Sequence, residues 1–383
     1  MEECKIKVNE KLVVSVIAGL LCSFVISLLL FQVFAVLLFI FWLFEPWVKK
    51  LKTFDSFVYI IFVFGIIRAA SIFFSEYPEE SYEAFARESL FYTTFISLNY
   101  YLKRIERKKF SLLYKIFINA GVVVSAIGII QFAAGFVHRA QGLSFGYSTF
   151  SLYLLFVFVF LINSRQFNSE KEKYFWAIKS GIILSGIITS LGRTNIVIAI
   201  LAGIVSLIIR REKVKFVFVM VIVVVLISLG SFSENKSEIQ NRISQPAALS
   251  DRDIIWNGFK EIYDEHPVLG FGPRTFSKVF PFKEQFADKG INSWHNEFFQ
   301  LYIESGIFAF LTVLFFYFFI FTDAIKKLKL YEKGETKDII FAMLFLIPSL
   351  ILASVTDFLW ASIIISALIA VSTNIYIGIK QSN

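Results

Sequence analysis

Residues 12–44 read LVVSVIAGLLCSFVISLLLFQVFAVLLFIFWLF, without one charged side chain. A helix on the surface of a soluble protein needs a polar face, and this stretch has none, so its natural surroundings are hydrocarbon. Lys5, Lys7 and Lys11 precede it as in a secretory signal. The apolar run nevertheless continues to Phe44 without a small-residue cleavage site, which reads as a retained membrane segment. One long tilted helix or a tight helical hairpin would both satisfy it.

Similar runs recur outward from this stretch, at about 54–74, 84–102, 112–135, 147–163, 174–190, 194–209, 214–231, 297–322, 339–355 and 358–378. With 12–28 and 31–48 they predict about twelve transmembrane helices in an all-α polytopic membrane protein. The fourth run carries Arg87 and Glu88 near its start. Composition agrees: 57% of the 383 residues are hydrophobic, mean hydropathy is +0.68, and 18% are charged against about 25% in soluble proteins. The long polar interruption at 232–296 divides the chain into helices 1–9 (1–231), one large loop, and helices 10–12 (297–383), read as a single integrated membrane domain. Cys4 and Cys22 offer no disulfide framework, and His138, His266 and His295 have no metal-ligand spacing, so neither a metal nor another cofactor is expected.

A net charge of +8 would suit a nucleic-acid binder, but its distribution argues otherwise. Basic residues alternate between connections: Lys49, Lys50 and Lys52; Lys103 to Lys109; Arg165, Lys171 and Lys173; Arg210 to Lys215; Lys326 to Lys333; and Lys380. The positive-inside rule makes that side cytoplasmic, with both termini, and makes the long loop external. This partition assigns 26 basic and 13 acidic residues, net +13, to the inside, and 12 basic and 17 acidic, net −5, to the outside. The surplus is a topology signal, and the nucleic-acid reading falls away. Seven of the 12 outer basic residues are arginine, against 5 of 26 inside.

Those outer arginines are the first chemical clue. Arg68 and Arg87 have acids nearby, from Glu76 to Glu88, and snorkelling to the interface is an equal reading for them. Arg139 and Arg193 have few local acids. A guanidinium group grips phosphate through paired donors, so external arginines suggest a phosphate or diphosphate ligand at the membrane surface. In the loop, Ser250 to Tyr263 reads as an amphipathic helix, with Ile255, Phe259 and Ile262 on one face and Arg252 and Trp256 in its first turns. The turn-rich segment His266-Pro267-Val268-Leu269-Gly270-Phe271-Gly272-Pro273-Arg274 must end that helix. It is a weak nucleotide motif, lacking a third glycine and a preceding strand. The loop closes on Trp294-His295-Asn296-Glu297 at the mouth of the tenth span. A histidine there serves either as a structural hydrogen-bonding group or as a base or phosphate ligand.

The ordered set Arg252-x-x-x-Trp256, His266-Pro267-x-x-Gly270-x-Gly272, His295-Asn296-x-x-x-Gln300 and Glu304-x-Gly306 resembles the signature of the O-antigen ligase and polymerase family, closest to the ligases. Arg139-Ala140-Gln141-Gly142 and Leu191-Gly192-Arg193-Thr194 also look like it. The resemblance implies a GT-C-like glycosyltransferase, with catalytic motifs in a periplasmic loop, in the inner membrane of a bacterium. It would move a glycan from undecaprenyl diphosphate to an acceptor hydroxyl, on lipid A core for a ligase, with inversion and without a metal. Polymerases and protein oligosaccharyltransferases of the same family use other acceptors. A transporter of polyprenyl-linked lipid is an alternative of another class, although no internal repeat supports it. By position, the family's functional residues correspond to Arg193, Arg252 and His295. Arg139 would add to the diphosphate site, while Arg68, Arg87, Trp256, His266, Arg274, Asn296 and Glu304 are possible substrate contacts. Glu297 and Glu304 are weaker candidates for the base, and Trp256 and Trp294 are candidates for sugar stacking.

Overall fold

The opening stretch folds as two helices in the computed structural model, α1 (Glu10–Ile26) and α2 (Leu28–Leu43). They are separated by Ser27 in extended conformation, whose hydroxyl caps α2 through the Leu29 N–H. A methyl group added at Gly19 would meet the Phe34 ring, and Phe24 lies 5.0 Å from Phe31. Such contacts, symmetric about Ser27, make the pair a hairpin. The structure describes residues 8–143, 146–165, 167, 169–209, 252–286, 293–331, 334–357, 359–360 and 362–379. The predicted ninth span at 214–231, Ser250 and the basic residues Arg210 to Lys215, Lys333 and Lys380 lie outside them.

The described chain continues through α3 (Trp47–Leu51), α4 (Ser56–Phe73), α5 (Pro78–Leu102), α6 (Arg107–Ala133), α7 (Tyr147–Asn163), α8 (Glu170–Thr189) and α9 (Arg193–Ile209). After the gap come α10 (Arg252–Ile262), α11 (Phe276–Val279), α12 (Glu297–Leu328), α13 (Glu335–Ser354) and α14 (Ile363–Ile377). Four of these, α4, α6, α12 and α13, are long and apolar enough to cross a membrane, and α2, α7, α9 and α14 are shorter apolar helices. The predicted fourth span starts earlier than its hydropathy suggests. Pro78 occupies the first turn of α5 with Glu79 and Glu80, a favourable N-terminus that leaves Arg87 and Glu88 well inside the helix.

The long helices run alternately between two ends. At one end Glu10 pairs with Lys109 at 3.0 Å, Lys103 with Asp55 at 2.7 Å, and Tyr376 bonds Asp323 at 2.6 Å. The described basic connections gather there. At the other end the C-terminus of α8 meets the segment after α6, through the Ala140 N–H to the Thr189 carbonyl. The N-terminus of α12 meets the end of α13, through the Asn296 side-chain amide to the Val355 carbonyl at 3.2 Å. Helix α7, apolar on all sides, is buried continuously from Phe150 to Asn163. Its place at the centre follows from that lack of a polar face. Gly121 of α6 and Gly186 of α8 let those helices close in, since an added methyl would lie 2.5 Å from Val157 and 2.7 Å from Leu154 respectively. Exposed large side chains on α2, α4, α9 and α12, such as Val33, Phe62, Leu201 and Phe315, present an apolar exterior suited to lipid.

Candidate functional site

Helix α12 is broken where the sequence places Glu304-Ser305-Gly306. Gly306 has φ 73° and ψ −176°, a conformation open essentially to glycine alone. The break frees backbone groups, and the Gly-x-Gly loop takes them up. The Ile307 N–H bonds the Pro267 carbonyl at 2.9 Å, the Phe271 N–H bonds the Ile303 carbonyl at 2.8 Å, and the Gly272 N–H bonds the Glu304 carbonyl at 2.9 Å. Gly270, with φ 69°, sits so close that a Cβ would lie 2.4 Å from the Glu304 carbonyl carbon. Ser71 of α4 bonds the carbonyls of Leu269 and Glu304 at 2.6 and 2.7 Å. The glycines therefore serve backbone docking. His266 completes this joint: its ring sits edge-on to Phe271 at 4.3 Å, and Nε2 lies 3.5 Å from Glu76.

Beneath the joint lies a buried charge cluster. The Arg68 side chain, 3% exposed, pairs with Glu88 in two bonds, approaches Glu304 at 3.5 Å and donates to Ser305 at 2.8 Å. Arg68 and Glu304 thus tie α4, α5 and α12 together. Arg87 forms an exposed pair with Glu83 one turn away on the same helix.

A second polar cluster gathers at the mouth of the bundle, from segments far apart in the chain. Arg252 opens α10 and donates from Nη2 to the Thr356 carbonyl at 2.9 Å. Arg193 opens α9 after a turn in which Leu191 has φ 55°. Arg139 donates to the Ser190 carbonyl at 2.9 Å and lays its guanidinium 3.2 Å from the Tyr147 ring centre. His295, with φ 44°, stands just before the cap of α12, where Asn296 accepts from the Phe298 and Phe299 N–H groups at 3.0 and 3.1 Å. Asp357, in the turn after α13, accepts a hydrogen bond from the Ser148 hydroxyl at the start of α7.

Electrostatics links these groups. Burial lowers the Arg252 pKa; the Asp357 carboxylate opposes that shift, and the Arg193 guanidinium adds to it. Burial likewise lowers the His295 pKa, with Asp357 raising it and Arg252 lowering it further. Arg193, Arg252, His295 and Asp357 therefore form one interacting set. The set thus holds two guanidinium groups that repel one another, one carboxylate, and an imidazole whose protonation burial disfavours.

Among the described residues, the non-glycine positions with positive φ are Leu191, Arg274 and His295. Such conformations cost about 1–2 kcal/mol each in ordinary residues. Leu191 and His295 flank the cluster directly, while the exposed Arg274 stands beside the Gly-x-Gly joint. Residues 180–314 match the family model described as O-antigen ligase. Over those residues, fewer than half of the chain, the protein is similar to the O-antigen ligases. No curated protein matches it. The O-antigen ligase match contains Arg193, Arg252, His295 and the Gly306 break, whereas Arg139 and Asp357 lie outside it and are joined to it by the fold.

Not every sequence candidate reaches the mouth cluster. Arg68, Glu304 and His266 have their contacts in the joint and the charge cluster beneath it. Glu297 is buried, and its carboxylate accepts the backbone N–H groups of Leu359 and Trp360, fixing the turn into α14. Trp294 is fully buried edge-on against Phe276 and Phe280, which leaves no face for a sugar. Trp256 is 46% exposed and packs edge-on against Phe299 at 4.6 Å, so it retains an open face. Asp357 belongs to none of the motifs in the sequence and joins the cluster only through the fold. A lone carboxylate between two apolar runs was its only local signal.

Proposed function

We propose that this chain is a ligase-type glycosyltransferase. It would transfer a glycan from undecaprenyl diphosphate to a sugar hydroxyl of lipid A core, at the periplasmic face of a bacterial inner membrane. The observation that carries this reading is the convergence of Arg193, Arg252, His295 and Asp357 at one mouth of a helical bundle, with the first three inside the O-antigen ligase match. Of the external arginines inferred from charge partition, Arg139, Arg193 and Arg252 belong to that mouth, and on this reading the lysine-rich end faces the cytoplasm.

In the proposed reaction the acceptor oxygen attacks the anomeric carbon from the face opposite the diphosphate, so configuration inverts. The bond from that carbon to the phosphate oxygen breaks, and its electron pair leaves with the lipid diphosphate. Arg193 and Arg252, joined by Arg139, stabilise the charge that develops on that leaving group. His295 accepts the acceptor's hydroxyl proton, which burial favours by keeping the imidazole neutral. Asp357 stabilises the resulting imidazolium and holds it in place. Trp256 offers its open face to a sugar ring.

The test supplies purified protein with glycan on undecaprenyl diphosphate, with lipid A core or with no second acceptor, and resolves products by size. A single glycan added to lipid A core is expected, and Arg252→Ala should abolish it while the protein remains folded. Elongated glycan without lipid A core would instead assign a polymerase, and carrier binding without product a transporter. Because guanidinium groups carry the leaving-group charge, chelation of divalent ions should leave the rate unchanged. Full activity in Arg252→Ala would overturn the mechanism.

A further inference from the structure

The lysine-rich end holds a cavity of about 350 Å³ that the transfer reaction does not use. Glu10 of α1, Glu45 and Lys49 around the start of α3, and Tyr100, Tyr101 and Arg104 at the end of α5 line it. Its charges are unevenly satisfied. Both oxygens of Glu10 are engaged, one by the Glu106 N–H at 3.1 Å and the other by Lys109 at 3.0 Å. Glu45 accepts the Tyr100 hydroxyl at 2.9 Å, which leaves further acceptor capacity on its carboxylate. Arg104 gives one N–H to the Lys49 carbonyl at 3.1 Å and stacks over the Tyr100 ring at 4.4 Å. Among the described residues neither Arg104 nor Lys49 has a carboxylate at ion-pairing distance, and the buried Tyr101 hydroxyl has no hydrogen-bond partner.

Among the described residues, two cations with no carboxylate at ion-pairing distance and an orphaned hydroxyl call for an anion, and the Glu45 carboxylate, which has Lys50 as a charged neighbour but acceptor capacity to spare, can take an ammonium. The setting supplies a molecule with both. Phe44, Trp47 and Val48 are exposed beside Glu45 and Lys49, and Lys50 lies over the rings of Trp42 and Trp47 at 4.3 and 5.6 Å. Tryptophan and lysine side by side mark the level of lipid headgroups. We infer that this cavity binds the headgroup of a zwitterionic aminophospholipid, with its phosphate on Arg104 and Lys49 and its ammonium on Glu45. The acyl chains then run along the exposed apolar side chains of Leu12, Phe44 and Val48. Phosphatidylcholine has no N–H to give Glu45, and phosphatidylglycerol has no positive charge for it.

Native mass spectrometry of the full-length protein, delipidated and offered equal phosphatidylethanolamine, phosphatidylglycerol and phosphatidylcholine, tests this. Phosphatidylethanolamine should be retained about tenfold over either competitor, the scale of one charged hydrogen bond. The double variant Lys49→Ala, Arg104→Ala should lose about tenfold in retention. Glu45→Gln, which can keep the Tyr100 contact, should equalise phosphatidylethanolamine and phosphatidylglycerol, and Glu45→Lys should reverse the preference. All three variants should still perform glycan transfer, which reports that they fold. Equal retention of the three lipids by the unaltered protein, unchanged retention in the double variant, or displacement of lipid by millimolar inorganic phosphate alone would each overturn the proposal.

Discussion

Replacing Gly306 by alanine should uncouple the Gly-x-Gly loop from α12. At φ 73° and ψ −176° a residue with a Cβ is strained by about 1–3 kcal/mol before any contact is considered. The new methyl would then stand 2.0 Å from the Val268 carbonyl oxygen and 2.6 Å from the Leu269 nitrogen, backbone atoms that no side-chain rotation can move aside. Relief requires the loop to shift by more than an ångström, which endangers the Ile307 to Pro267, Phe271 to Ile303 and Gly272 to Glu304 hydrogen bonds. Losing one buried bond costs about 1–3 kcal/mol, so a total of roughly 2–6 kcal/mol follows. The thermal unfolding midpoint of the purified protein in detergent should therefore fall by roughly 3–7 °C, given an unfolding entropy of about 2.1 cal/mol/K per residue. Glycan transfer should drop at temperatures well below that midpoint, because His295 stands just before the cap of the same helix. Gly203→Ala is the matched control. Its methyl would meet Phe158 at 3.5 Å, an ordinary contact inside helix α9, and should leave stability unchanged or raised by about 0.5–1 kcal/mol. A Gly306→Ala protein with unaltered midpoint and activity would refute the docking argument.

If neutral His295 is the base, its burial-lowered pKa keeps the active form populated below the ordinary histidine value, so the acidic limb of a kcat/KM profile should lie below about pH 6.5. The same shift means that the unfolded chain binds the proton first, so the His295 contribution to stability is lost as pH falls from about 6.5 through the folded-state pKa, which unfolding midpoints across that window would show. Asp357→Asn removes an influence that raises the His295 pKa; the acidic limb should move to lower pH while the maximal rate falls, and an unmoved limb would separate Asp357 from His295. Arg68→Ala leaves Glu88 and Glu304 facing each other without their shared cation, a loss of about 3–5 kcal/mol measurable by thermal unfolding, whereas the exposed pair of Arg87 predicts a change of less than about 1 kcal/mol for Arg87→Ala.

The membrane helices were legible because their signal is local. Eleven of the twelve predicted apolar runs coincide with helices, and residues 12–44, open between one span and two, became a hairpin at Ser27. The amphipathic reading of Ser250 to Tyr263 corresponds to α10, which buries Ile255 and Ile262. Less legible was what each arginine faces. Arg68 and Arg193 look alike in sequence, each an arginine near the outer end of an apolar run, yet Arg68 is enclosed by Glu88 and Glu304 while Arg193 stands near Arg252. The Gly-x-Gly motif was noticed for its spacing, but its partner, the break at Gly306, emerges only when the two segments are seen against each other.

By itself the sequence determined the class of the protein, the position of nearly every described helix and the residue types available for chemistry. Hydropathy along a chain is one-dimensional information, and so is the length of a bilayer crossing. Tertiary structure alone decided that Arg252, Arg193 and His295 share a mouth with Asp357, and that Glu297 and Trp294 are structural. The energy of a charge depends on its burial and on the charges within a few ångströms of it. Those neighbours come from helix ends 43 to 164 residues apart in the chain, separations that no local pattern records.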